Sequence, residues 1–78
     1  MKTLTMSRKS KILNRQDAEK QAGELLDSLN PKDYPKLTSL PRESAIRRIV
    51  DGASIGKGGY REGYLANAVM TNEESLST

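Results

Sequence analysis

Residues 14–31 constrain what this chain can fold into more tightly than any other stretch. Asn14 is a good N-cap residue, and Asp17 stands where a carboxylate meets the first free amides and the positive end of a helix dipole. Asn30-Pro31 marks the far end, because a residue before proline avoids the helical region. Between these signals Ala18, Ala22, Leu25, Leu26 and Leu29 recur at spacings of 4, 3, 1 and 3. At ~100° per residue they gather within about 100° of one face. The spacing predicts an amphipathic helix over about 15–29. On its wet side Arg15 and Glu19, and again Lys20 and Glu24, are placed for i to i+4 pairing.

Such a stripe needs a partner, and the remainder of the chain supplies two. Residues 30–40 carry Pro31 and Pro35, with Tyr34, Leu37 and Leu40 as apolar anchors, and read as a connector with room for one short helical turn. Pro41 suits a helix start, and Ala45, Ile46, Ile49, Val50 and Ala53 form a second apolar stripe, predicting a helix over about 41–52. On its opposite face Glu43 and Asp51 each lie four residues from Arg47, so this arginine is expected between two carboxylates. Gly56, Gly58 and Gly59 then read as a turn using positive φ, followed by a third helix over Tyr60 to Met70. There Leu65, Ala68 and Val69 share one face, while Tyr60, Tyr64 and Asn67 fall on another.

The expected fold class is therefore mainly α: a small three-helix domain over 14–70, a flexible basic arm over 1–13 and a short disordered acidic tail over 71–78. In that tail Glu73 and Glu74 accompany a single large apolar residue, Leu76. Leu, Ile, Val and Phe together make only 15 of 78 residues, and there is no cysteine to staple the fold. Seventy-eight residues exclude a second domain, and a core this thin leaves room for self-association as a homodimer.

Residue types narrow the chemistry. With no His and no Cys, Ser-His and Cys-His nucleophiles, zinc fingers and iron–sulfur ligation all disappear, and no pair of Asp, Glu, Lys or Tyr stands out as catalytic. No enzyme, metal or cofactor is expected. The longest apolar run is Ala68-Val69-Met70, far below the roughly 18 residues of a membrane span. A soluble cytoplasmic protein without membrane contact is the expectation, and the lack of cysteine fits a reducing compartment.

Charge placement carries the functional reading. Lys2, Arg8, Lys9 and Lys11 give the first 13 residues a charge of +4 with no acid, whereas the chain as a whole carries only +3. Farther on, Lys57, Tyr60, Arg61 and Tyr64 bring cations and aromatic rings together, the combination that nucleic acid engages by charge and stacking. The expected function is a small nucleic-acid-binding regulator, a DNA-binding transcriptional regulator in its sharpest form, with DNA favoured over RNA. Its contacts are expected from Arg8, Lys9, Lys11, Lys57, Tyr60, Arg61 and Tyr64. The alternative is a protein-interaction module, an adaptor or inhibitor, whose interface is the Tyr60, Tyr64 and Asn67 face.

Three sharper motifs fit the residues only in part. Gly52-Ala-Ser-Ile-Gly56-Lys57-Gly58 has three residues rather than four before its Gly-Lys pair and no Ser or Thr after it, so it is not a phosphate-binding P-loop. A helix-turn-helix frame started at Arg48 places Gly52, Gly56, Ile55 and Leu65 suitably but puts Asp51, Lys57 and Glu62 in apolar slots. The alternation Thr3-Leu4-Thr5-Met6-Ser7 ahead of a helix resembles ribbon-helix-helix repressors in order of elements. Such a resemblance implies a paired strand on dimerisation, but the long two-proline connector departs from that pattern.

Overall fold

A computed structural model describes residues 11–77. Element order is β1 (Ile12–Leu13), α1 (Arg15–Ser28), α2 (Pro35–Thr38), α3 (Arg42–Gly52), β2 (Tyr60–Arg61) and α4 (Glu62–Ser77). The mainly α class expected from the sequence is what forms, with four helices among the described residues in place of three because the 30–40 connector contains the short α2.

Local signals act as their chemistry dictates. Asn14 takes an extended conformation and its Oδ1 accepts the Asp17 amide at 2.8 Å, which satisfies one of the orphan donors at the start of α1. The helix stops at Ser28, and Leu29 is already extended ahead of Asn30-Pro31. Asn30 then builds the turn that follows: its carbonyl accepts the amides of Asp33 and Tyr34, and its side chain accepts that of Lys32 at 2.9 Å. Pro41 caps α3 from just outside, and Arg42 begins it.

The core joins α1, α3 and α4 around Leu37 of α2. Ala18 and Ala22 are fully buried, as are Ala45, Ile49, Val50 and Ala53, while Leu65, Ala68 and Val69 face them from α4. Completely burying Leu37, Ile49, Leu65 or Val50 contributes ~1.5–3 kcal/mol each, which makes these four the main apolar stabilisers. Leu25, Leu26 and Leu29 are only half-buried, so the alanines of α1 meet the core and its leucines line the margin. Alanines at the centre let the helices approach closely. At Gly52 the approach is closer still, since a Cβ there would stand 2.7 Å from the Ala68 Cβ.

Expectations for the C-terminal third need correction. The last helix does not begin at Tyr60: Tyr60 and Arg61 are a strand, paired antiparallel with β1 so that Leu13 faces Tyr60 and Ile12 faces Arg61. Nor does it end at Met70, because residues 71–77, expected as a disordered tail, continue α4. Tertiary contacts explain the extension. Asn72 Nδ2 donates to the Arg48 carbonyl at 3.2 Å, and the Glu73 carboxylate accepts the Lys36 and Leu37 amides at 3.0 and 2.8 Å. Leu76 packs on the core margin.

Ion pairing also differs from expectation. Arg15 and Glu19 pair as their spacing predicts, at 2.9 Å. Among the described residues, however, Lys20 does not pair with Glu24, nor Arg47 with Glu43 or Asp51. The second pair is instead Arg42 with Asp27, which clamps α3 to α1 through both carboxylate oxygens, the Nη2–Oδ2 contact being 3.2 Å. Exposed pairs gain little from pairing, so an i to i+4 spacing does not by itself hold Lys20 to Glu24 or Arg47 to Glu43 or Asp51.

Candidate nucleic-acid interface

Three short chain segments lie side by side at one end of the helices. Ser54 bridges Tyr60 on one edge of β2, and β1 pairs on its other edge. The Arg61 amide donates to the Ala53 carbonyl at 3.0 Å and the Glu62 amide to the Lys11 carbonyl at 2.9 Å, so this patch is continuous with the starts of α1 and α4. Between Ser54 and Tyr60 the glycine cluster turns the chain. Gly56 and Gly58 have φ of 83° and 76°, the region glycine enters without a Cβ penalty, and Ile55 donates to the Gly59 carbonyl to close the turn. Lys57 is exposed between those two glycines.

This patch gathers some of the expected contact residues and disperses others. Lys11 is exposed at the entry to β1, Lys57 at the turn, and Arg61 is half-buried on β2. Arg8 and Lys9 lie outside the described residues. The Arg61 guanidinium carbon stands 5.4 Å from the centroid of the Tyr64 ring, within cation–π range, and Tyr64 is 46% exposed. Tyr64 therefore presents a ring already occupied on one side by a cation. Asn67 is exposed one turn farther along α4.

Tyr60 must be withdrawn from both expected interfaces. It is only 8% exposed and, as a strand residue, belongs to the buried core, whereas Tyr64 and Asn67 are exposed on α4. A tyrosine four residues before another reads as a shared helix face only if the helix includes both, and here α4 starts after Tyr60. What remains of the proposed face is Tyr64 and Asn67, with the exposed Met70 farther along the same helix.

Arg15 is a neighbour that sequence reasoning did not include. Its Nη1 donates to the Tyr60 hydroxyl at 3.4 Å while its Nε donates to Glu19. The guanidinium is held above its ordinary pKa, chiefly by the hydrogen bond to Glu19 and then by Tyr60. No sequence signal links residues 15 and 60, since only the pairing of β1 with β2 brings them together.

Chemically the patch offers cations and one exposed ring around a glycine turn. Lys11 and Lys57 form no ion pair among the described residues, so both ammonium groups are available to an anionic partner. Among the described residues no helix is long and apolar enough to cross a membrane. No protein-family model matches this chain, and neither a curated protein nor a solved structure shows significant similarity to it.

Proposed function

We propose that this protein is a small non-enzymatic regulator that binds nucleic acid, duplex DNA in preference to RNA, mainly through phosphate contacts. One observation carries the reading. Lys11 leads directly into β1, which is paired with the strand bearing Arg61, whose other edge leads to the Lys57 turn. The basic first 13 residues thus lead into the same patch as the two cations that lie far away in sequence. Flexible lysines and arginines reach phosphate oxygens more readily than base edges, so this arrangement favours affinity over sequence discrimination.

Electrophoretic shift series against duplex DNA, single-stranded DNA and RNA at two salt concentrations test the reading. Binding that is strongest to duplex DNA and weakens steeply with salt is the expected result. Replacing Lys2, Arg8, Lys9 and Lys11 by Gln should flatten the slope of log K against log salt by about 3.6 if all four meet phosphate. Absence of binding by the intact protein at low salt overturns the proposal. The exposure of Tyr64 and Met70 would then favour the alternative, a protein-interaction module acting through α4.

A further inference from the structure

A groove of about 550 Å³ runs between α1 and the start of α4. Leu25, Leu65 and Ala66 supply apolar lining, and Glu24 and Glu62 stand beside it with no cation among the lining residues. Neither glutamate forms an ion pair among the described residues. An apolar slot bordered by two carboxylates suits a segment with small apolar anchors and basic flanks.

The chain carries such a segment at the required place. The Lys11 carbonyl accepts the amide of Glu62, a lining residue, so the point where the first ten residues join the fold lies beside the groove. Those ten residues contain Leu4 and Met6, two positions apart and therefore on one side of an extended chain, with Lys2, Arg8 and Lys9 around them. Met6 stands five positions before Lys11, a reach of up to roughly 17 Å, whereas Gln21 to Leu25 along α1 covers only about 6 Å. A short tether also sets a local concentration on the order of millimolar, so two modest anchors suffice.

We propose that this groove is the docking site of the chain's own first ten residues. Leu4 and Met6 enter against Leu25 and Leu65, and the basic side chains face Glu24 and Glu62. This inference does not depend on nucleic-acid binding and is tested without it.

Because the chain lacks cysteine, Ser7→Cys accepts a single nitroxide label next to the anchors. With the label oxidised, the amides of Leu25, Leu65 and Ala66 should lose most of their intensity and regain it on reduction, while those of Lys36 and Leu37 stay unchanged. Adding Leu4→Ser and Met6→Ser should abolish the loss while all other amide shifts report an intact fold. Uniform broadening, or none at the groove, overturns the proposal. Broadening that appears when labelled, isotope-free protein is mixed with unlabelled, isotope-enriched protein also overturns it, since the occupant is then a second copy.

Discussion

The Glu73 carboxylate caps the short helix that holds Leu37: its Oε1 accepts the Leu37 amide at 2.8 Å and its Oε2 accepts that of Lys36 at 3.0 Å. Leu37 is fully buried, and its four-residue helix has no side-chain cap of its own. A residue 36 positions later thus supplies what the first turn of α2 lacks. Its charge is favourably placed there, near the positive end of the peptide dipoles.

Replacing Glu73 with Ala should therefore cost about 0.5–2 kcal/mol, the range seen when capping side chains are lost. Glu73→Gln keeps one acceptor oxygen and should cost less. Urea unfolding measures both. Equal stability of wild type and Glu73→Ala would show that α2 holds without its cap.

Gly52→Ala tests the crossing of α3 and α4. Alanine is the better helix former by about 1 kcal/mol, so an uncrowded site would gain stability. Here the new Cβ would meet the Ala68 Cβ at 2.7 Å, and alanine has no rotamer with which to yield. Overpacking of about 1–3 kcal/mol should make the variant less stable than wild type. Adding Ala68→Gly should recover part of that loss, a coupling readable from a double-mutant cycle in thermal unfolding.

The clamp between α1 and α3 should leave a signature in acid. Hydrogen bonds from Arg42 hold the Asp27 carboxyl below its ordinary value of 3.8, against a smaller opposing effect of burial. A group whose pKa is lowered by folding contributes stability above its unfolded value and loses it as pH falls through the folded one. Wild type should thus exceed Asp27→Asn in stability at near-neutral pH, with the difference shrinking below about pH 4. Both side chains are more than half exposed, so the effect is small and salt-sensitive. A difference that grows toward low pH would contradict the sign of this interaction.

Lys57→Ala probes the glycine turn as a phosphate contact. The position is exposed and its neighbours contain no packed side chain, so folding stability should be unaffected. If Lys57 touches one phosphate, the salt slope for duplex DNA should flatten by about 0.9 and affinity should fall alike for unrelated sequences. An unchanged slope would remove this turn from the interface.

Local chemistry determined much of this protein on its own. The cap at Asn14, the stop at Asn30-Pro31, the apolar stripes of α1 and α3, the Arg15–Glu19 pair and the positive φ of Gly56 and Gly58 all involve neighbours within one or two turns, so composition and spacing suffice to specify them. Only tertiary structure decided where Tyr60 goes, because a two-residue strand has too little periodicity to register and exists here through pairing with Ile12–Leu13. The fate of residues 71–77 was equally hidden. One leucine and two glutamates read as a tail until Glu73 finds the bare amides of α2 and Asn72 the Arg48 carbonyl, donors and acceptors that lie far away in the chain. The same holds for the basic patch: sequence located its charges in separate segments, and the strand pairing that places Lys11 beside the Arg61 strand is a long-range contact that no local pattern encodes.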